Sequence, residues 1–232
     1  MYRVILRNII TIAVLIGLSV ILIYWIEAEK EIRILCSMFI EGTSTEQVTN
    51  TLDTANLLDY NVNHTINGYS KLQAESPYDL YSVECTILFD EQGNVIKADF
   101  LKHFDLNAYL TLAASFVLLL LTGFHLLLSL GLPYGKFAWG GYHKILPVHL
   151  RIGSFISSLL LIFGMIILLD KVEWIQKLPD GFPFSEFNIF FSVIFLMSTL
   201  ANVNSDSAGE KQIMAPLAGI LYMAFLSNIF TL

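Results

Sequence analysis

The chain has 232 residues, of which 55% are hydrophobic and only 14% are charged, and its formal net charge is −7. Soluble globular domains carry about 25% charged residues. The composition therefore excludes an ordinary soluble protein and predicts an integral membrane protein.

The first apolar run, IITIAVLIGLSVILIYWI, covers residues 9–26 and follows Arg3 and Arg7. A bilayer core needs about 20 apolar residues in a helix. The run is longer than the apolar part of a cleaved signal peptide, and no clear small-residue cleavage site follows it. We therefore expect residues 1–27 to form an uncleaved signal-anchor helix.

The next segment, residues 28–105, contains most of the acidic residues and both cysteines. Apolar residues at helical spacing directly after the first span indicate that the first helix continues beyond it. The stretch TSTEQVTNTLDTA begins with Thr43 and Glu46 at capping-box spacing and predicts a second helix. The stretch YSVECTILFDEQGNVIKADF alternates around a turn at Gly93 and predicts a β-hairpin. The predicted apolar face of the hairpin is Val83, Cys85, Ile87 and Phe89, then Ile96, Ala98 and Phe100.

This segment, with EGTSTEQVTNTL ahead of VECTILFDEQGNVIKADF, resembles the small SmpA/BamE-type domain of the outer-membrane assembly machine. Gly42 and Thr43 at the helix entry, Val48 and Leu52 within the helix, and the hairpin FDEQGNV carry the resemblance. It implies a domain that binds proteins. The segment has no lipobox cysteine and no Gly-Pro after the helix, so a lipoprotein or outer-membrane role is not implied.

Cys36 and Cys85 are the two cysteines of the chain. If they pair in an oxidising compartment, the disulfide closes a loop worth about 3 to 4 kcal/mol on the chain-entropy model. The alternative is two buried thiols, because both residues lie on predicted apolar faces. The triplet NHT at Asn63 is a glycosylation sequon that matters only in a eukaryotic secretory pathway.

Four further apolar runs, at about residues 106–132, 147–169, 187–203 and 213–232, predict a four-helix transmembrane domain over residues 106–232. The expected fold is a mainly α membrane protein with five transmembrane helices. A small α+β extracytoplasmic domain is inserted between helices 1 and 2.

Basic residues in short loops tend to stay in the cytoplasm. With the N-terminus inside, five spans place six basic and two acidic residues inside, and seven basic and eighteen acidic residues outside. We therefore expect a cytoplasmic N-terminus and an extracytoplasmic C-terminus. The acidic outer face excludes nucleic acid as a main partner.

The connection LPYGKFAWGGYHKILPVHLR, residues 132–151, joins the second and third spans. The simpler interpretation is a membrane-surface turn, in which Pro133 and Pro147 bound the helices and Gly140 and Gly141 permit backbone turns. The alternative is a binding site at the cytoplasmic face, formed if this loop folds against the second inner connection, NVNSDSAGEKQIM.

The binding-site hypothesis places a membrane lipid or small amphiphile against six side chains, Trp139, His143, His149, Arg151, Asp206 and Glu210. His125, inside the second span, is a functional candidate because ionisable residues in a bilayer are costly. It is interpreted either as a neutral, hydrogen-bonded histidine or as a ligand-binding residue.

The series GLPYGKFAWGGYHKILPVHLRIGS, followed by ANVNSDSAGEKQIMAPLAGIL, resembles an uncharacterised family of small four-helix bacterial membrane proteins. The inner loop of that family reads roughly GxP(W/Y)GxxAWGG and then LPxxLR, and Tyr134 here replaces the usual Trp. The resemblance covers the second helix to the end of the chain. It implies a bacterial plasma-membrane location and carries no activity.

The motifs for phosphoryl transfer, hydride transfer and zinc proteolysis are absent from the sequence, and neither a cofactor nor a metal is expected. Haem ligation by His125 and His149 is a minor alternative.

The favoured function is an envelope scaffold or accessory subunit, more a binding protein than an enzyme, whose exported domain binds a membrane or envelope protein. The alternative is a lipid-binding or amphiphile-binding protein or membrane enzyme with its site at the cytoplasmic membrane face.

Overall fold

The computed structural model describes residues 2–64, 69–171, 174–176, 178–179 and 181–230. In chain order its elements are α1 (Tyr2–Met38), α2 (Thr45–Leu52), β1 (Asp59–His64), β2 (Ser70–Glu75), β3 (Val83–Phe89), β4 (Val95–Lys102), α3 (Leu106–Ser129), α4 (Val148–Lys171), α5 (Phe184–Asn204) and α6 (Ala215–Phe230). Two short 3-10 turns, Gly135–Phe137 and Trp139–Gly141, follow α3, and a wide π-helical turn, Glu210–Met214, leads into α6.

Five of the described helices are long and apolar enough to cross a bilayer, and their most apolar stretches have mean hydropathies of 1.6 to 2.7. This confirms the five predicted apolar helices and is the pattern of a multi-pass membrane protein. The fourth, expected to be the shortest at residues 187–203, extends over Phe184–Asn204 and is 21 residues long.

Contacts divide the chain into a helical unit, Met1–Ser19 with Leu106–Leu232, and a sheet unit, Val20–Asp105. Helix α1 supplies residues to both, as expected from the helical spacing that continues past residue 26. Each unit has its own buried apolar core.

The helical unit consists of two hairpins, α3 with α4 and α5 with α6, which meet mainly through α3 and α6. Phe191 of α5 stacks on Phe225 of α6 with ring centroids 4.9 Å apart. Gly164 of α4 lies against both rings, where an added Cβ would sit 3.1 and 3.2 Å from ring atoms. Helices α4 and α5 touch only sparsely, which leaves a space between them.

Polar contacts distinguish the two ends of the helical unit. At one end Arg7 Nη2 of α1 donates to Asn204 Oδ1, at 2.9 Å, beside the connection between α5 and α6. At the other end Asn228 Nδ2 of α6 donates to Thr111 Oγ1 of α3, at 3.3 Å. The start of α1 and the end of α6 therefore lie at opposite ends of the unit.

The sheet unit contains one antiparallel sheet in the order β1-β2-β3-β4. Its core forms on one face of the sheet, beneath α2 and the part of α1 beyond the apolar run. The buried side chains at its centre include Ile32, Val48, Leu72, Ile87 and Phe89. The predicted hairpin is confirmed as β3 and β4, whereas β1 and β2 have no counterpart in the sequence prediction.

Two local predictions for the sheet unit were wrong. The capping box uses Ser44 and Gln47 instead of Thr43 and Glu46, one residue later, because Ser44 takes the extended N-cap conformation. Ile96 is 43% exposed instead of buried, because the register between β3 and β4 shifts at Leu88 and Phe89. Val95 takes the inward position in its place.

The sulfur atoms of Cys36 and Cys85 lie 2.07 Å apart, at disulfide distance. Cys36 belongs to α1 and Cys85 to β3, so this bond links the long helix to the centre of the sheet. The sequon that begins at Asn63 extends to Thr65 and falls outside the residues whose side chains the structure describes.

Candidate functional site

The two connections at the Arg7 end of the helical unit fold against each other. We call residues 130–147 the long loop and residues 205–214 the short loop. Gly140 N donates to Glu210 Oε1 at 2.9 Å, and Ser207 Oγ donates to the Lys136 carbonyl. These bonds bring the two loops together, which was the condition that the binding-site hypothesis required.

Glycine permits the close approach of the two loops at two points. A Cβ on Gly141, whose φ is +75°, would sit 2.6 Å from Ser207 Cβ. A Cβ on Gly209 would sit 2.4 Å from the Phe137 ring. Larger residues at either position would force the loops apart, because real Cβ atoms do not tolerate such distances.

Trp139 is held in an unusual conformation at the centre of the long loop. Its φ is +57°, a left-handed value that is strained for a bulky side chain. Its indole Nε1 donates to Ser154 Oγ on α4 at 3.0 Å. The ring lies over Gly153, where an added Cβ would approach two ring atoms at 3.0 and 3.1 Å. Backbone strain of this kind is typical of functional sites.

A cavity of about 400 Å³ lies beneath these loops, in the space between α4 and α5. Leu161 and the stacked Phe191 and Phe195 line its apolar part. Its polar lining comes from both loops and three helices, namely His125, Trp139, Ser157, Ser198, Asn202 and Glu210. The cavity thus offers both an apolar wall and a set of hydrogen-bonding groups, as small-molecule sites usually do.

Glu210 and His125 are the ionisable side chains of this lining. Glu210 is 4% exposed, and the Gly140 amide satisfies one of its oxygens. Within the described part of the chain, His125 Nδ1 is buried without a hydrogen-bond partner. The ring of His125 contacts Phe124 edge-on, with centroids 5.5 Å apart. Buried polar atoms normally have a partner, so His125 Nδ1 is available to a ligand.

The six predicted ligand-binding residues do not form one site. Trp139 and Glu210 line the cavity, whereas His143 and His149 are exposed and lie outside its lining. Arg151 Nε donates to the Ser129 carbonyl at 2.8 Å, which ties α4 to the end of α3.

Asp206 accepts a hydrogen bond from Tyr142 Oη at 3.1 Å on the outer side of the two loops. This hydrogen bond to the carboxylate raises the pKa of the Tyr142 phenol, because loss of the phenol proton would place two negative charges together. The pair joins the loops from outside and takes no part in lining the cavity.

Of the α5 part of the cavity, the sequence prediction included only Asn202, the first residue of the second inner connection, and missed the rest. The residues Phe191, Ile194, Phe195, Ser198 and Asn202 share one helical face, spaced three or four residues apart, and this face becomes polar toward the short loop. That gradient from aromatic to polar side chains was the signal available in the sequence.

In the described parts of the chain, no group of three or more His, Cys, Asp or Glu side chains could hold a metal ion. Comparison with protein-family models, with curated proteins and with solved structures finds no match to this chain. We therefore infer the function from the geometry of the cavity and of the sheet unit.

Proposed function

We propose that the protein binds a small amphiphile, such as a single-chain lipid, in the cavity between α4 and α5. The observation that carries the proposal is a partly open cavity of about 400 Å³ with both an aromatic wall and a polar lining. This volume lies within the range of about 300 to 1,000 Å³ that is usual for small-molecule sites.

The lining suggests how such a ligand would lie. An acyl or isoprenoid chain would pack against Phe191 and Phe195, where it loses no hydrogen bonds. The polar head would lie at the loop end, within reach of His125 Nδ1 and the Asn202 amide. The buried carboxylate of Glu210 favours a head group that donates hydrogen bonds and disfavours an anionic one.

The test is native mass spectrometry of the protein extracted gently from its own membrane. Ser157→Phe should fill the cavity and lose a bound small molecule that the wild type retains. Gly123→Phe is the matched control, because Gly123 is exposed and a Cβ there meets nothing within 4 Å. Equal occupancy in the wild type and both variants, or a wild type that carries no ligand, would contradict the proposal.

A second candidate function is a scaffold or accessory subunit whose sheet unit binds a membrane or envelope protein. Two observations support it: the sheet unit has its own buried core, and the Cys36–Cys85 link lies within that unit. Neither feature contributes to the cavity of the helical unit. Cross-linking in the native membrane tests it. A partner captured by the wild type and by Ser157→Phe, and lost when both cysteines are replaced by alanine, would favour this candidate.

We further propose a bacterial plasma-membrane protein with a cytoplasmic N-terminus and with the sheet unit and the C-terminus outside. Support comes from the end of the helical unit where Arg7 contacts Asn204. The two loops at that end carry Lys136, Lys144 and Lys211, and α4 begins there with Arg151 nearby. Such a basic cluster favours the cytoplasmic side.

A further inference from the structure

The turn between β2 and β3, residues 76–82, places its polar side chains inside and its apolar side chains outside. The buried polar residues are Ser76 and Asp79, each 0% exposed, and Ser82, 4% exposed. The exposed apolar residues are Tyr78 at 48%, Leu80 at 74% and Tyr81 at 55%. In water the exposed apolar side chains are unfavourable, because their surface remains hydrated. Ser76 is hydrogen-bonded inside the turn, whereas Asp79 Oδ2 and Ser82 Oγ are buried without a partner among the described residues.

The backbone holds this arrangement firmly. Leu80 and Tyr81 both have left-handed conformations, with φ values of +54° and +60°. Tyr81 N donates to the Ser76 carbonyl at 2.9 Å, and Ser82 N donates to the Asp79 carbonyl at 3.1 Å. Two consecutive strained residues other than glycine persist only where the surrounding structure fixes them, and such strain points to a function for the exposed side chains.

Ring contacts within the sheet unit relate this turn to the end of the first apolar run. The Tyr78 ring stacks on Tyr24 of α1, with centroids 5.6 Å apart. The next residue of α1, Trp25, contacts Phe104 edge-on at 6.2 Å. Tyr24 and Trp25 lie just before the end of the run 9–26, and Phe104 lies two residues before α3 begins. With α1 crossing a bilayer, these rings lie near the level at which its apolar run meets the membrane surface, where aromatic residues are enriched.

We propose that the turn 76–82 is a lipid anchor, through which Leu80 and Tyr81 enter the bilayer leaflet where α1 leaves the membrane. The occupant of this apolar surface is lipid, because Tyr78 of the same turn stacks on Tyr24 near the end of the apolar run of α1. The anchor would fix the level of the sheet unit at the bilayer surface. The inference rests on α1 crossing the membrane.

The test places a polarity-sensitive fluorophore on single introduced cysteines in the full-length protein, reconstituted without reductant in vesicles that contain lipids brominated high on the acyl chain. The three positions are Leu80→Cys in the turn, Leu88→Cys on the outer face of the sheet and Ile16→Cys in the apolar run. Leu88 and Ile16 are 36% and 58% exposed in the protein itself, so both accept a label.

Lipid bromine should quench the probe at position 80, and its apolar surroundings should shift its emission to the blue. The probe at 88 should stay unquenched by bromine and accessible to aqueous iodide. Quenching at 16 without quenching at 80 would overturn the anchor and leave membrane insertion intact. Loss of quenching at both positions would overturn insertion itself. A probe at position 80 that is shielded in native membranes but hydrated in the vesicles would overturn the lipid anchor. It would show that a protein partner, and not lipid, covers the turn.

Discussion

At Gly153 a single hydrogen atom leaves room for the indole of Trp139, and the hydroxyl of the next residue, Ser154, receives the indole N–H. The ring fixes the strained centre of the long loop, which lies over the cavity. Adding one methyl group at position 153 would therefore disturb the site by moving the Trp139 ring, although it removes no group that would touch a ligand.

Gly153→Ala should destabilise the protein by about 1 to 3 kcal/mol, the usual cost of overpacking. The added methyl would approach the indole at 3.0 to 3.1 Å and displace it from Ser154. Thermal unfolding in detergent and the emission maximum of the tryptophans measure the change. Gly219→Ala is the control, since its Cβ meets nothing within 4 Å. Equal melting temperatures for the two variants would contradict the expected clash.

Asp79 carries a prediction about pH. Burial raises the pKa of its carboxyl above the usual range, and the hydrogen bond from Ser82 N only partly offsets this. The raised pKa means that the fold favours the protonated form, so the wild type loses stability as pH rises toward neutral. Asp79→Asn, which cannot ionise, should raise the melting temperature at pH 7.

The gain from Asp79→Asn should shrink as pH falls toward the ordinary aspartate pKa of about 4, because Asp79 then binds its proton in the folded state and increasingly in the unfolded state as well. Thermal unfolding as a function of pH measures this change. Asp59→Asn, at an exposed carboxylate on β1, is the control and should change little. A gain that stayed constant between pH 4 and pH 7 would show that ionisation of Asp79 is not its cause.

At the scale of elements, the apolar helices and the β3–β4 hairpin could be predicted because their periodicity is strong. Strands β1 and β2 could not, because DYNVNH and SKLQAE are mostly polar, and Leu72 and Ala74 alone are fully buried within β2. The capping register could not be decided either, because Thr43 with Glu46 and Ser44 with Gln47 both fit the same spacing.

The candidate site, too, could be predicted from the sequence only in part. Composition drew attention to the long loop, and Trp139 does line the cavity. The side-chain direction of His143 could not be read from sequence, because three consecutive left-handed residues, Trp139, Gly140 and Gly141, precede it in the loop. His149 is exposed in the first turn of α4 and lies outside the cavity lining.

The link between α1 and β3 gives an element-scale prediction. Cys36 and Cys85 are 49 residues apart in sequence, so their disulfide should contribute about 4 kcal/mol on the chain-entropy model. Replacing both with alanine should make the sheet unit sensitive to protease at temperatures where the wild type resists cleavage. Reduction of the wild type should have the same effect. Unchanged protease resistance after both treatments would argue that the core of the sheet unit suffices without the bond.

At the scale of the whole molecule, the proposed orientation assigns each connection to one side of the membrane. A membrane-impermeant thiol reagent applied to intact cells should label Gln92→Cys, in the exposed turn between β3 and β4. It should label Lys144→Cys, in the long loop, only after the cells are permeabilised. Labelling of Lys144→Cys in intact cells would reverse the orientation, and labelling of both positions would contradict five spans.

The wide turn Glu210–Met214 determines how the Glu210 side chain is oriented relative to helix α6. Ala215 N–H donates to the Glu210 carbonyl five residues earlier, so the turn holds one residue more than a regular α-helical turn. Because each residue rotates an α-helix by about 100°, deleting the exposed Gln212 would turn the Glu210 carboxylate by that angle relative to the buried face of α6. The extra residue thus fixes the direction of the Glu210 side chain relative to the buried face of α6. Natural insertions or deletions should be tolerated in the connection before residue 207 but not between residues 210 and 214.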